Sequence, residues 1–175
     1  MLAKVVFIVG TLGVAGYVGT QMSSYDPSII SQPREEVISL LEDARTELPG
    51  RSGPAHTAVW SGGRTSDGVT LKMRHSPTAP VLSCRAIIEE ISADQSRVVT
   101  DCSQGEGGGA MQQAQVGMRT AWFDEHISST VQQRPFDQGK VMAREVVVMQ
   151  QGMPAMQQEA LQMQAETARA MQEMR

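Results

Sequence analysis

Four sets of residues in this 175-residue chain could carry chemistry. Asp124-Glu125-His126 places two carboxylates beside an imidazole, the raw material of acid–base or metal chemistry. Consecutive side chains on a helix point about 100° apart, so Asp124 and His126 do not share a helix face. A working site would need His56 or His75 from elsewhere, and a solvated helix face is the favoured reading. Gly105-Glu106-Gly107-Gly108-Gly109-Ala110 matches the spacing G-x-G-x-x-A, a dinucleotide fingerprint when it joins a strand to a helix in a βαβ unit. Here hairpins precede it, and Ile127 stands near where an acidic ribose ligand is wanted. A plain glycine-rich loop fits better.

Met153-x-x-Met156 and Met171-x-x-Met174 offer soft thioethers that suit Cu(I). No His or Cys lies nearby, and the methionines recur at helical packing intervals, so a packing seam is favoured. Such seams also suit adaptable protein contacts. Cys84 and Cys102 are the only cysteines. Their meaning depends on the compartment, because disulfides persist in oxidising surroundings. No catalytic residue, metal ligand or cofactor is assigned, and enzymatic activity is not expected.

The compartment is read from the N-terminus. Residues 1–22 contain one charge, Lys4, before an uncharged apolar run from Val5 to Gly19. Lys4 predicts a cytoplasmic N-terminus with the rest of the chain exported. The run is short for a span but has no A-x-A cleavage site. An uncleaved anchor in the inner membrane, facing the periplasm, is therefore favoured over a cleaved signal that releases a soluble periplasmic protein. In that setting Cys84–Cys102 reads as a disulfide. The two sit on strands joined by a turn near Ala93–Ser96, about two positions from direct opposition. A small offset or bulge would bring them together. The net charge is −4, and no basic stripe with interleaved aromatics is present, so nucleic acid is not an expected partner.

These residues must be positioned by the elements around them. Ile29-Ile30 is a short strand candidate, and Pro33 is preset for a helix start with Glu35 and Glu36 in the first turn. Val37, Leu40, Leu41, Ala44 and Leu48 predict one helix running to Pro49-Gly50. Four strands follow in hairpins: His56–Arg64, Val69–Arg74 after the Asp67-Gly68 turn, Val81–Ile91 and Arg97–Ser103. A second amphipathic helix spans about 110–133, its face formed by Met111, Met118, Trp122, Phe123, Ile127 and Val131. From Gly139, Met142, Met149, Met156, Met163 and Ala170 recur every seven residues. Val146, Met153, Ala160, Thr167 and Met174 do so four residues on, which is a heptad pattern. Gly152-Met153-Pro154 predicts two helices or one kinked helix. The expected fold is α+β: an antiparallel sheet of about five strands with a long helix packed across it, an N-terminal membrane helix (1–22), a domain over 23–138 and a helical extension over 139–175.

The segment Ser28-Ile29-Ile30-Ser31-Gln32-Pro33-Arg34-Glu35-Glu36-Val37-Ile38-Ser39-Leu40-Leu41, with the amphipathic helix at 110–133, resembles the START-like or helix-grip family, which includes polyketide cyclase and dehydrase relatives. The resemblance covers roughly 28–134. It implies an apolar cavity between helix and sheet, and Trp60, Met73, Met118 and Trp122 would line it. Two expectations of different class follow. One is a membrane-anchored interaction or accessory protein whose helical extension, through Met142, Met149, Met153, Met156, Met163 and Met174, binds a partner or a second copy. The other is a binder of a small apolar ligand or lipid.

Overall fold

A computed structural model describes residues 26–49, 56–102 and 108–173. The expected membrane segment, 1–22, lies outside them. Among the described residues no helix is long and apolar enough to cross a membrane. The elements run β1 (Ile29–Ile30), α1 (Arg34–Glu42), β2 (Arg45–Pro49), β3 (His56–Arg64), β4 (Gly68–Arg74), β5 (Leu82–Ser92), β6 (Gln95–Asp101), α2 (Ala110–Val131) and α3 (Gln138–Glu173). The six strands form one antiparallel sheet in the order β1-β6-β5-β4-β3-β2, curled into a half-barrel. The first strand thus pairs with the last, and α1 carries the chain from one sheet edge to the other.

The expectation of five strands is corrected by β2. The periodic run did not continue as helix to Leu48: α1 stops at Glu42, and Arg45–Pro49 pairs with Trp60–His56. The physical reason is visible in its alternation. Thr46 and Leu48 are half-buried while Arg45, Glu47 and Pro49 are exposed, the period-two pattern of a strand with one wet face. Leu41 and Leu48 are seven apart, a spacing that also fits a helix face, but they belong to different elements.

The concave face is filled by side chains. Val59, Val69, Leu71, Met73, Cys84, Ala86 and Ile88 from the sheet meet Val37, Ile38 and Leu41 of α1 and Phe123, Ile127 and Val131 of α2. Two features set the register. Gly68 lies so close to β5 that a Cβ on it would come within 1.9 Å of the Ala86 carbonyl oxygen; only glycine permits that pairing. At the other hairpin the register shifts between Glu90 and Ser92. Ser92 opposes Gln95, but beyond the irregularity Arg85 opposes Asp101 and Ile87 opposes Val99. This one-residue bulge brings Cys84 and Cys102 together, with Cα atoms 4.4 Å apart, in a disulfide.

After α2 the chain turns through Gln133, whose φ of +49° is in the left-handed region. Gln133 N–H donates to the Thr130 carbonyl and Arg134 N–H to the Ser129 carbonyl at 3.0 Å. This is the paired closure of a helix C-terminus, here built without glycine. The helix α3 then returns antiparallel along α2. It is one continuous helix with Pro154 inside it, not two.

Candidate interaction surface and the cleft beside it

The long helix shows two faces of different character. Val141 is fully buried, and Glu145, Val148, Gly152, Met156 and Glu159 are half-buried. The spacing of these residues places them on one side, against α2. Small residues allow the approach: a Cβ on Gly117 would meet the Val148 methyls at 2.8 Å, and one on Gly152 would meet Ala114 at 3.6 Å. Three polar contacts fix the pair. Trp122 Nε1 donates to Glu145 Oε1 at 2.8 Å, Arg144 pairs with Asp124 at 2.7 Å, and Ala110 N–H donates to Glu159 Oε1 at 2.6 Å. The last contact lies at Ala110, where α2 begins. The N-terminus of α2, which attracts anions, is capped by a carboxylate of its own chain, and residues 103–107 lie outside the described ones.

Rotated by one residue from that buried face is an apolar stripe that remains exposed. Met142 is 42 % exposed, Val146 55 %, Met149 39 % and Met153 49 %. These are the expected heptad residues, at i, i+4, i+7 and i+11. Met163 is exposed too, Met156 is half-buried at the border, and Met174 lies outside the described residues. From Ala160 to Gln172 every residue is exposed. The first half of α3 is therefore part of the domain, and the second half projects beyond it by roughly 20 Å at 1.5 Å per residue.

The cluster at 124–126 is not a solvated face, contrary to expectation. Glu125 is 6 % exposed and His126 is fully buried. The reason is that α2 is flanked on one side by α1 and the sheet and on the other by α3, so its buried arc is wide. The 100° fan sends each residue to a different neighbour. Asp124 accepts from Thr100 Oγ1 at 2.6 Å as well as pairing with Arg144. Glu125 binds Arg134 through both carboxylate oxygens and accepts from Asp137 N–H at 2.8 Å, which pins the α2–α3 turn. Burial raises the Glu125 carboxyl, but the Arg134 and Asp137 hydrogen bonds outweigh it and hold the group below the usual carboxylate range. His126 Nδ1 lies 2.9 Å from Thr46 Oγ1 on β2, and its Nε2 is buried without a partner. Burial pushes its pKa down to about 4, so the ring is neutral at pH 7. Among the described residues no cluster of three His, Cys, Asp or Glu is placed to hold a metal.

A cleft of about 210 Å³ opens between the sheet and α2, lined by Met73, His75, Leu82, Gln115, Met118, Arg119, Trp122 and Glu145. His75, Trp122 and Glu145 also line a neighbouring cleft of about 240 Å³ that reaches Pro49, Thr57 and Gln138. The Trp122 ring stands edge-on to His75 at 5.5 Å and is stacked on Phe136 at 5.6 Å. Met73, Met118 and Trp122 are thus brought together. Trp60 is not among them. It pairs with Lys72 while its neighbour Val59 pairs with Met73, and adjacent strand residues point to opposite faces, so Trp60 belongs to the outer face of the sheet. Comparison with family models, characterised proteins and solved structures finds no match for this chain.

Proposed function

We propose that this chain is a non-enzymatic interaction protein, anchored in the inner membrane by residues 1–22, that uses α3 on the periplasmic side to bind another protein chain. One observation carries the reading: the Met142–Val146–Met149–Met153 stripe stays exposed after α3 has satisfied its packing against α2. Runs of large apolar side chains at helical spacing in water mark a contact surface. A photo-crosslinking residue at position 153 of the full-length chain, expressed in cells, is expected to give a protein adduct. The same residue at position 72, on the outer sheet face, is expected to give none. Absence of any adduct from positions 142, 149 and 153 overturns the reading.

The cleft favours a second reading, a binder of a small apolar ligand with a helix-grip relationship. Its support is that Met73 and Leu82 of the sheet and Met118 and Trp122 of α2 line the same cleft and that the strand order sets β1 beside β6 with α2 across the concave face. Its volume is below the few hundred cubic ångströms usual for such sites. Native mass spectrometry that finds no bound lipophile on the purified chain removes this reading.

A further inference from the structure

We propose that the cleft between the sheet and α2 takes a short apolar monocarboxylate whose carboxylate is held by Arg119. This inference rests on the apolar-ligand reading of that cleft and names the class of ligand. The cleft is built by strand pairing on one side and helical spacing on the other. Met73 and Leu82 are direct cross-strand partners on β4 and β5. Gln115, Met118, Arg119 and Trp122 stand at i, i+3, i+4 and i+7 on α2, so one helix face supplies the opposite wall. Exposure is graded across the lining. Met73 and Trp122 are buried, Leu82, Met118 and Arg119 are half-buried, and Gln115 is exposed. Apolar groups therefore fill the depth of the cleft, and Arg119 and Gln115 stand toward its mouth.

The lining holds two groups of opposite charge, and they are not equivalent. Glu145, from α3, is engaged: it accepts from Trp122 Nε1 at 2.8 Å. Arg119 has no hydrogen-bond or ion-pair partner among the described residues. His75 is the other titratable group in the lining, and burial lowers its pKa from 6.5, so at pH 7 it adds little charge. A guanidinium presents its N–H donors in a planar fork that matches the two oxygens of a carboxylate. Half-buried beside Met118 and Trp122, Arg119 offers that fork where an apolar tail would also be covered. An ammonium ligand of the same shape is disfavoured, because Arg119 repels it and Glu145 is already bound to the indole. Volume sets the length of the tail. At roughly 30 Å³ for each water-sized group, the 210 Å³ of the cleft holds about seven such groups. That suits a carboxylate of about six carbons and is too small for a two-chain lipid.

The test titrates the full-length chain with hexanoate, hexan-1-ol and hexylamine, which share a tail and differ in head group. At pH 7.5 the first is an anion and the last a cation. Trp122 fluorescence reports the cleft once Trp60→Phe has removed the other indole. Hexanoate is expected to give a saturable change and to bind roughly tenfold or more tightly than hexan-1-ol, the scale of a charged hydrogen bond. In an Arg119→Gln chain that advantage is expected to vanish, so that hexanoate and hexan-1-ol bind alike. Equal binding of the two in the parent cleft, tighter binding of hexylamine, or a hexanoate preference kept in Arg119→Gln overturns this inference and leaves the apolar-ligand reading standing. If none of the three changes Trp122 fluorescence, both fall.

Discussion

His126 makes the stability of this fold depend on mild acid, and the size of the effect follows from its burial. The ring is fully buried on α2, bound only through Nδ1 to Thr46, and its pKa is depressed from 6.5 to about 4. Above pH 6.5 the ring is neutral in both the folded and the unfolded chain and contributes no pH dependence. As pH falls below 6.5 the unfolded chain takes up a proton that the folded chain refuses until about pH 4. Stability is therefore full above 6.5 and is lost between 6.5 and 4, with a slope approaching about 1.4 kcal/mol per pH unit. The whole window corresponds to about 3 kcal/mol. At m values typical of a single domain, the urea midpoint should fall by roughly 1–2 M across it. The assay is urea unfolding at half-unit pH steps from 7.5 to 4.5, the lower limit chosen to stay above most carboxylate titration. His75, also depressed because burial outweighs the pull of Glu145, adds in the same direction. A His126→Gln chain separates the two: whatever it costs in absolute stability, most of the slope should vanish. A flat profile in the parent chain, a slope retained in His126→Gln, or an NMR titration of His126 near 6.5 refutes the reasoning.

Replacing Cys84 and Cys102 together by Ala should lower the unfolding free energy by about 3 kcal/mol, from the entropy of closing a loop of 18 residues; a change below 1 kcal/mol in urea unfolding, matched by no effect of reductant on the parent, counts against it. Gly68→Ala drives a Cβ into the backbone of β5 and should cost at least about 2 kcal/mol. Gly62→Ala, whose new Cβ meets only the ends of the Lys72 and Thr70 side chains, should cost clearly less in the same thermal-melt comparison.

The parts of this fold that follow from local chemistry were legible in the sequence, and those decided by neighbours were not. Ile29-Ile30, the Pro33 helix start, the Asp67-Gly68 hairpin and the Trp122, Phe123, Ile127 and Val131 part of the α2 face are set by propensity and period, and each is where the residues place it; Met111, expected on that face, is 55 % exposed. Arg45–Pro49 became a strand because the open edge of β3 offered hydrogen-bond partners, a reward that no window on 34–49 contains. The 124–126 cluster departs from the expected solvated face for the same reason. Its burial comes from neighbours that no local window contains: β2 through Thr46, β6 through Thr100, the turn at Arg134–Asp137 and α3 through Arg144. The disulfide could be placed only to within two positions because the pairing turns on the single irregularity between Glu90 and Ser92. The α3 stripe is the converse case. Its heptad was legible, but two adjacent apolar columns, Val141-Val148 and Met142-Met149, competed for α2. The structure gives α2 the valine column. Stiff β-branched side chains pack well against the fixed groove beside Gly117, whereas unbranched methionines adapt to a partner's surface. Met142 and Met149 are thus left outward, with Val146 and Met153 beside them, while Met156 sits at the border of the face that meets α2.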